Sequence, residues 1–441
     1  MGARPPARFL FAMFQGGGNI PLIMPIVAVM VRRGHDVRLM AGPGIRGRPQ
    51  PVTQDFLRRI EGSGATRVPF DAPDVDPYEA SPPVRGLAFG WMPRRFENVS
   101  ARMARTTLWS QPWAANVLNE LKREPVDVLV CDYWLFGAIA AGEAAGVPTA
   151  VIVHNAFPPK AAGQPPKSGG FMPARTPLDA LTQAIYRWTY DRIWSRDGAR
   201  AHNAARRTLG LPALRSPLDE YDRPSRTLVL GYESFDFPAK ALKRHVRYVG
   251  TPIDDLDASP DAWTSPWPKD DPRPLVLVSM STLQQGQAPA MHRIVEAIGG
   301  MDVRGLVTLG PALNREDFQV AGNVRLEQFV AHSAVLPHAA AIVSQCGLST
   351  LTKALRHGVP LVCIPLLGDQ PDNAARIVSK GAGVRLSPEA SPEEIRTALK
   401  HVLDDTSFRE AARRLGEPMI GDKPEERAAD ELESLVQRDA S

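Results

Sequence analysis

Short apolar runs, each followed by a turn of small or polar residues, recur along the whole chain. The first run, at 9–14, ends in a glycine-rich turn, and the apolar stretch that follows, 20–33, is long enough for a helix and stops at Gly34. Residues 35–41 then alternate between apolar and polar, as a strand does. A strand, a turn, a helix and a second strand in this order predict a parallel sheet flanked by helices.

The same alternation of strand and helix continues through both halves of the chain. Further strands are predicted at 126–131, 149–153, 227–231 and 248–250, with helices at 111–123, 138–145 and 178–194. After a stretch of linker composition, strands begin again at 274–278, 305–308, 324–328, 341–343 and 360–365. We therefore predict an α/β protein with two doubly wound domains, 1–253 and 274–418, joined by a linker at 254–273 and followed by a helical segment at 419–441.

Composition narrows the class of protein. A chain of 441 residues, 44% of them hydrophobic and 23% charged, is typical of a soluble protein with more than one core. The net charge of +4 gives no reason to expect nucleic acid as a partner. No window offers the roughly 18 uninterrupted apolar residues of a membrane-spanning helix. The 3 cysteines lack CxxC or metal-ligand spacing, which favours reduced thiols in the cytoplasm.

The first glycine turn does not have the spacing of a dinucleotide-binding site. The fingerprint of such a site is G-x-G-x-x-G followed by an acidic residue at the end of the second strand, and both features are missing here. A nicotinamide-dependent enzyme is therefore not favoured. The short apolar run before this turn fits a first strand better than a signal peptide.

The stretch 341–377 carries the strongest chemical signal. A short strand breaks into the turn Ser344-Gln345-Cys346-Gly347, and a helix is predicted to start at Ser349. The first N–H groups of a helix are unpaired and partly positive, so a small-residue turn in front of them can hold a phosphate. Asp369-Gln370, after the next strand, suits the hydroxyl groups of a sugar. One such strand–turn–helix alone is common in α/β proteins, but the two features together suggest a nucleotide sugar.

These residues resemble the C-terminal signature of the family 1 glycosyltransferases of the GT-B fold, in the form found in bacterial enzymes of natural-product biosynthesis. Where the family reads THGGxGTxxxAL, GVPxVxxP and DQxxNAxR, this chain has SQCGLSTLTKAL, GVPLVCIP and DQPDNAAR. The resemblance implies two Rossmann-like domains that face each other across a cleft, with the acceptor bound by the N-terminal domain and the donor by the C-terminal one. It also implies that the helix near 424–437 returns to the N-terminal domain.

The resemblance implies a donor-binding set in the second half. Residues that would contact the diphosphate are Ser281, Thr282, Gln345, Gly347, Ser349 and Thr350. Phe329 and Val330 would hold the base, His332 the ribose, and Asp369 and Gln370 the sugar hydroxyls. Two positions depart from the family: Gln345 stands where a histidine is common, and Lys353 replaces a glutamate that holds ribose hydroxyls in many UDP-sugar enzymes. The second departure favours a dTDP-sugar, whose deoxyribose lacks one hydroxyl.

The largest departure lies in the first turn, where Asn19 occupies the position of the family's general-base histidine. An amide has no useful basicity near neutral pH. Asp132, at the position of the carboxylate that partners that histidine, is predicted to act as the base itself, and His154, at the end of the next strand, is the weaker candidate. Alternatively, Asn19 only positions an acceptor whose nucleophile is already acidic. The alternative is a purely structural role for Asp132, as a strand-end carboxylate that caps a helix.

Aromatic residues are concentrated in two segments of the N-terminal half, 89–113 and 157–194. They suggest a hydrophobic small-molecule acceptor, for which Gly18, Trp91 and His154 are the candidate contacts. For the aromatic helix at 178–194, core packing and an acceptor-binding wall remain equally open.

The resemblance implies an inverting, metal-independent transfer of a sugar from a UDP- or dTDP-sugar, with no cofactor beyond this co-substrate and no metal site. Two alternatives remain open: a catalytically silent homologue that binds nucleotide sugar, prompted by Asn19 and Gln345, and a nucleotide-sugar epimerase on the same fold. The oligomeric state is not readable from the sequence, and a homodimer is compatible with it.

Overall fold

The computed structural model describes residues 6–14, 18–42, 54–73, 103, 106–159, 161–253, 263–280 and 286–436. Thirteen strands in these residues are Arg8–Phe14 (β1), Asp36–Gly42 (β2), Thr66–Val68 (β3), Val128–Asp132 (β4), Thr149–Val153 (β5), Arg226–Val229 (β6), Val246–Tyr248 (β7), Leu275–Ser279 (β8), Arg304–Thr308 (β9), Val324–Glu327 (β10), Ala339–Ser344 (β11), Leu361–Cys363 (β12) and Gly383–Arg385 (β13). They form two sheets, one in each half of the chain.

The helices that flank the sheets alternate with the strands. Those described are Ile20–Arg32 (α1), Gln54–Ser63 (α2), Ser110–Arg123 (α3), Phe136–Ala145 (α4), Pro177–Ile193 (α5), Ala199–Thr208 (α6), Ala288–Gly299 (α7), His332–Val335 (α8), Leu348–Arg356 (α9), Gln370–Ser379 (α10), Pro392–Asp404 (α11), Thr406–Gly416 (α12) and Pro424–Glu433 (α13). This alternation is the one predicted from the apolar periodicity.

Both sheets are parallel throughout and are covered on both faces. The first has the strand order β3-β2-β1-β4-β5-β6-β7 and the second β10-β9-β8-β11-β12-β13. Strands β4, β5 and β8 are buried at every position, which explains why their sequences read as continuous apolar runs rather than as alternating ones. The two sheets with their helices are the two Rossmann-like domains predicted from the sequence.

The strand order reverses between β1 and β4 in the first sheet and between β8 and β11 in the second. In open α/β sheets, ligands bind beyond the carboxyl ends of the strands at such a reversal. The residues after β1, β4, β8 and β11 are therefore the ones that the topology brings to the two ligand-binding edges. Asn19 and Asp132 lie at the first edge, and the turn that begins at Ser344 lies at the second.

The last helix, α13, packs on α1 of the N-terminal domain. The guanidinium of Arg33, in the turn after α1, lies 2.7 Å from Asp430 and 2.9 Å from Glu433 of α13. Glu433 also lies 3.1 Å from His35 Nε2. These ion pairs join the end of the chain to its first domain.

Element ends differ from the predicted ones where proline intervenes. The strand expected at 360–365 is only Leu361–Cys363, because Pro360 and Pro365 lack the N–H group that a sheet ladder requires. Within the part of the chain that the structure describes, none of the helices is both long and apolar enough to cross a lipid bilayer.

Candidate active site

The turn 344–347 leaves the edge of the second sheet and leads directly into α9. Ser344 Oγ accepts a hydrogen bond from Cys346 N at 3.1 Å and donates one to Gln345 Oε1 at 3.2 Å, which fixes the start of the turn. Gly347 is the N-cap residue of α9, and it has no side chain with which to cap that end of the helix. The first N–H groups and the positive end of the helix dipole are thus available to an anion.

Cys346 adopts a backbone conformation that normally requires glycine. Its φ is +66°, in the left-handed region, and its side chain is fully buried. The corresponding family residue in THGG is a glycine, which has no Cβ and adopts this conformation without strain. This chain therefore keeps the shape of the turn while carrying a strained cysteine.

The second loop of the donor side leads into α10. Asn373 Nδ2 donates to Asp369 Oδ2 at 2.8 Å and to the Cys346 carbonyl at 3.0 Å, so one amide holds the predicted sugar contact Asp369 against the turn 344–347. Gln370 Oε1 accepts hydrogen bonds from the N–H groups of Leu366 and Leu367, at 2.8 and 3.0 Å. These contacts fix the two loops relative to each other.

The predicted nucleoside contacts lie beyond β10. Phe329 is 74% exposed, an unusual state for a large aromatic side chain and one that suits stacking against a base. His332 begins α8, with Nε2 3.4 Å from Thr308 Oγ1. Burial, with a smaller contribution from the charge of Lys353, lowers the pKa of His332 to about 4, so its imidazole is neutral near pH 7. Lys353 therefore lies close enough to act on the predicted ribose contact.

On the opposite side, Asn19, Asp132 and His154 come together at the edge of the first sheet. Asn19 Nδ2 donates to the Phe14 carbonyl at 2.9 Å and to Asp132 Oδ2 at 3.2 Å. His154 Nε2 also lies 3.2 Å from Asp132 Oδ2, a close ion-pair distance without the angle of a hydrogen bond. Asp132 Oδ1 accepts from Trp134 N at 3.1 Å. The Asn19 Oδ1 atom is buried and has no partner among the described residues.

Electrostatics favour the charged form of His154. Burial acts to lower the pKa of this imidazole, but the negative charges of Asp132 and, to a smaller extent, Asp369 outweigh it, so the pKa is raised above its usual value. Asp369 belongs to the donor side. Its influence on His154 indicates that the predicted sugar-binding carboxylate and the N-terminal site face the same cleft.

An aromatic cluster adjoins the N-terminal site. Trp134 lies between Tyr133 and Trp194, with ring centroids 4.6 and 6.4 Å away. Tyr190 of α5 is 6.1 Å from Trp194. Trp134 and Tyr190 are only partly buried, whereas Tyr133 and Trp194 belong to the core. Tyr133 and Trp134 were not among the site residues predicted from the sequence, although both directly follow Asp132.

Helix α5 separates into two faces. Tyr186 and Ile193 are buried, so part of the helix is ordinary core. Four large apolar side chains on it are more than half exposed: Leu178, Leu181, Ile185 and Trp188. Only the end near Tyr190 adjoins the site, so the acceptor-wall interpretation applies to that end alone.

Several predicted site residues are not brought together by described geometry. Ser281, Thr282 and Trp91 lie outside the described residues. Gly18 is described and exposed, and a Cβ added there would meet no atom within 4 Å. Among the described residues, no group of three or more His, Cys, Asp or Glu side chains is arranged to hold a metal ion.

The largest contact missed from the sequence joins α10 to the N-terminal domain. Asp372 accepts hydrogen bonds from the N–H groups of Ser168 and Gly170 at 2.6 and 2.7 Å, and Arg376 binds Asp236 at 2.6 Å. The sequence did contain a pattern that could have predicted this contact. Asp372 and Arg376 are four residues apart in DQPDNAAR and therefore share one face of a helix.

Comparison with known proteins identifies the family. Residues 292–435 match the family model of the C-terminal domain of erythromycin biosynthesis protein CIII-like proteins. The chain is 31% identical to 4'-demethylrebeccamycin synthase of Lentzea aerocolonigenes over 441 residues, which is 98% of this chain and 100% of the relative. It is 32% identical to 10-deoxymethynolide desosaminyltransferase of Streptomyces venezuelae over 198 residues, 44% of each chain.

Solved structures show the same fold. The glycotransferase of kitacinnamycin superposes with a TM-score of 0.74 at 19% identity, covering 98% of this chain and 100% of the other. The calicheamicin glycosyltransferase CalG4 gives 0.71 at 20% identity, with 99% and 100% covered. The chain therefore belongs to the bacterial natural-product glycosyltransferases of the GT-B fold. The resemblance stated from the motifs is confirmed, and the protein is an enzyme of that type.

Proposed function

We propose that the protein transfers a sugar from a nucleoside diphosphate sugar to a hydrophobic small molecule, with inversion at the anomeric carbon and without a metal ion. The observation that carries this proposal is the uncapped N-terminus of α9, tied through Asn373 to Asp369 and facing Asp132 and His154 across the cleft. This arrangement offers an anion site, a sugar contact and a proton-accepting centre in one place.

The donor end stabilises the leaving group. As the bond between the anomeric carbon and the diphosphate oxygen breaks, negative charge grows on the diphosphate, and the helix terminus behind Gly347 is aimed at that charge. Gln345, Ser349 and Thr350 add polar groups around it, and Ser281 and Thr282 are proposed to complete the set. Because this charge is met by fixed dipoles, the reaction is proposed to need no divalent cation.

The nucleotide is proposed to be a dTDP-sugar in preference to a UDP-sugar. Phe329 stacks on the base, Val330 offers its backbone to the pyrimidine edge, and His332 contacts the sugar ring of the nucleoside. Lys353 acts electrostatically on His332 and cannot accept a hydrogen bond from a ribose hydroxyl when it is charged. A deoxyribose, which has one hydroxyl fewer to satisfy, fits this environment better.

The acceptor is proposed to be flat and aromatic. The partly exposed rings of Trp134 and Tyr190 lie beside the proton-accepting centre and present apolar faces of the right kind for stacking. The names of the relatives, 4'-demethylrebeccamycin synthase and 10-deoxymethynolide desosaminyltransferase, support a natural product as acceptor.

The test is an assay of dTDP-glucose and UDP-glucose, each with a panel of anthraquinone, flavonoid and indolocarbazole acceptors. We expect transfer with opposite anomeric configuration in the product, faster turnover with the dTDP-sugar, and no change after treatment with EDTA. Product configuration is read from the anomeric proton coupling in NMR spectra. Retention of configuration or loss of activity in EDTA would contradict the proposal.

The amide at Asn19 makes a catalytically silent homologue the second candidate, because the position that carries a base in the family cannot take a proton here. The same assay distinguishes the two. Tight binding of a pyrimidine nucleoside diphosphate, measured by calorimetry, with no transfer to any member of the panel would favour the silent homologue. Epimerisation of the donor sugar in the absence of acceptor would favour a nucleotide-sugar epimerase.

A further inference from the structure

The carboxylate at the centre of the N-terminal site cannot be reached from the cleft. The side chain of Asp132 is 0% exposed, whereas that of His154 is 15% exposed. A general base must lie within hydrogen-bond reach of the proton that it abstracts. Of the two side chains, only the imidazole has exposed surface through which it could reach an acceptor.

We propose that His154 is the general base of the transfer and that Asp132 is its buried partner. The inference rests on the proposed glycosyl transfer and deepens it. It replaces the direct role expected for Asp132 from the sequence. The histidine thus comes from the end of β5, beside the turn in which Asn19 occupies the usual histidine position.

Strand geometry explains why the two side chains meet. Strands β4 and β5 are parallel neighbours in which Asp132 pairs with Ile152. His154 follows Ile152 by two residues and therefore lies on the same face of the sheet, one step further toward the cleft. The ring is held edge-on by Phe14 and Tyr133, with centroids 5.8 and 4.9 Å away. A base held in this way is already oriented before substrate binds.

The two ring nitrogens have different surroundings. Nε2 is buried and lies 3.2 Å from Asp132 Oδ2, so the other nitrogen, Nδ1, is the one directed away from the carboxylate. An imidazole that faces a carboxylate with one nitrogen can take a proton on the other, and the carboxylate then stabilises the resulting cation.

Asn19 has a supporting function in this arrangement. Its Nδ2 group donates to Asp132 Oδ2 and to the Phe14 carbonyl, which holds the carboxylate in place. Its Oδ1 atom is buried and has no partner among the described residues, so Asn19 acts on the site through its Nδ2 group. Asn19 is therefore a positioning residue, and it exchanges no proton.

The step balances without a further reactant. The acceptor O–H bond breaks and its proton moves to Nδ1 of His154, while the oxygen electron pair forms the new bond to the anomeric carbon. The bond from that carbon to the diphosphate oxygen breaks, and the diphosphate leaves with the electron pair. The imidazolium so formed lies 3.2 Å from the carboxylate of Asp132 and packs against the edge of the Tyr133 phenol. The charge of Asp369 favours the same cation to a smaller extent.

The experiment compares His154→Gln with His245→Gln in the full-length protein. His245 is a partly buried histidine of the same domain whose Nε2 lies 3.1 Å from the Tyr221 carbonyl, so its variant controls for the loss of an imidazole elsewhere. Transfer from dTDP-glucose is measured with phenol and with 4-nitrophenol. The first must lose its proton during the reaction, whereas the second is already ionised at pH 8. Calorimetry with dTDP reports whether the donor site remains folded.

We expect His154→Gln to lower kcat/KM for phenol by about 100-fold or more, in the range that general-base catalysis contributes. The loss for 4-nitrophenol should be less than tenfold, and the affinity for dTDP should be unchanged within twofold. His245→Gln should match the unmodified protein on both acceptors. In the unmodified protein, kcat/KM for phenol should rise with pH through the pKa of His154, and this rise should be missing in His154→Gln.

Equal losses on the two phenols, or an unchanged pH profile, would overturn the role of His154, because a merely structural residue does not distinguish acceptors by acidity. If the unmodified protein binds dTDP but transfers sugar to neither phenol nor to any member of the acceptor panel, the proposed function itself fails, and the inference fails with it. The two failures are distinguished by the activity of the unmodified protein.

Discussion

At the scale of single residues, the environment of His154 depends on one neighbouring charge. The side chain is largely buried, and burial alone would lower its pKa. The carboxylate of Asp132, 3.2 Å from Nε2, acts in the opposite direction and prevails. The protonation of His154 is therefore controlled by Asp132, a residue on the neighbouring strand.

Replacing Asp132 with Asn should lower the pKa of His154 below that of a free histidine. The amide keeps the size of the carboxylate but removes its charge, so the effect of burial is no longer opposed. The measurement is an NMR titration of the imidazole Hε1 signals of both proteins. A His154 titration that does not move would exclude the charge of Asp132 as the dominant influence.

Strain at Cys346 gives a second prediction at this scale. At its φ of +66°, a side chain costs about 1–2 kcal/mol, which glycine avoids. The methyl group of an alanine would regain only about 0.8 kcal/mol through burial. Cys346→Gly should therefore be more stable than Cys346→Ala by up to about 1 kcal/mol, the reverse of the usual order. Urea denaturation of both variants measures the difference, and a more stable Cys346→Ala would show that the turn relaxes to another conformation.

The sequence predicted the residues of this centre more easily than their roles. Asn19, Asp132 and His154 could be placed at strand ends because buried strands have clear apolar signatures. Which of them reaches the cleft depends on the exposure of each side chain, and exposure follows from packing that no spacing encodes. The raised pKa of His154 likewise depends on a 3.2 Å contact and on Asp369, more than 200 positions away along the chain.

At the scale of elements, the start of α9 is the feature on which the proposed donor binding depends. Gly347, its N-cap, has a φ of −63°, which any residue can adopt. A Cβ built there would lie 3.5 Å from Gln345 Nε2, an ordinary van der Waals distance, and it would meet no other described atom within 4 Å outside its chain neighbours. Folding therefore does not require glycine at this position, and its use here must have another reason.

Gly347→Ala should weaken the binding of dTDP by about tenfold, or about 1.4 kcal/mol, because the added methyl group occupies space in front of the helix terminus. The free energy of unfolding should change by less than about 0.5 kcal/mol, as for substitutions that meet no strain or clash. Calorimetry and urea denaturation give the two quantities. Unchanged affinity for dTDP would indicate that the diphosphate does not approach this turn.

The strands and helices were largely predictable because each has its own local signal. The residues at which these elements end were not predictable in the same way. At β12, for example, two prolines limit the strand to three residues. Helix α5 shows the opposite case. Its apolar composition left core packing and an acceptor-binding wall equally open. Leu178, Leu181, Ile185 and Trp188 are exposed, since composition does not reveal which face of a helix finds a neighbour.

At the scale of the whole molecule, helix α10 joins the two domains. Its N-terminal end carries Asp369 and Gln370, the predicted sugar contacts, and the residues just after them bind the N-terminal domain. Asp372 accepts two backbone N–H groups from the loop at Ser168 and Gly170, both in left-handed conformation. The sequence motif indicated that this segment touches the donor, but the contact with the acceptor domain appears only when the two halves are seen together.

Arg376 adds a second connection one turn along α10. Its guanidinium binds Asp236 Oδ1 at 2.6 Å and lies between the rings of Phe157 and Phe237, 4.3 and 4.5 Å from their centroids. Arginine has a planar head group that can stack on aromatic rings and form a bidentate ion pair, and lysine does not. Any movement of one domain relative to the other must therefore break or carry along these contacts, so they would set the distance between the proposed sugar and base sites.

Asp372→Ala should lower kcat by about tenfold and leave the affinity for dTDP unchanged within twofold. Removal of the carboxylate leaves two backbone N–H groups unpaired, that of Gly170 buried and that of Ser168 partly buried. A buried unpaired group costs about 1–3 kcal/mol, which favours separation of loop and helix. The donor site lies within one domain and is not altered. Asp404→Ala, which removes an exposed carboxylate paired with Lys400 on α11, is the matched control and should behave like the unmodified protein.

The split between turnover and donor affinity is what identifies the contact as a determinant of domain position. If Asp372 only stabilised its own domain, its loss would weaken dTDP binding and lower the unfolding midpoint of that domain together. If it only shaped the acceptor loop, acceptor KM would rise while kcat at saturating acceptor remained intact. A lower kcat at saturating donor and acceptor, with dTDP affinity retained, is expected only when both substrates bind but the two halves of the site are no longer held at reacting distance.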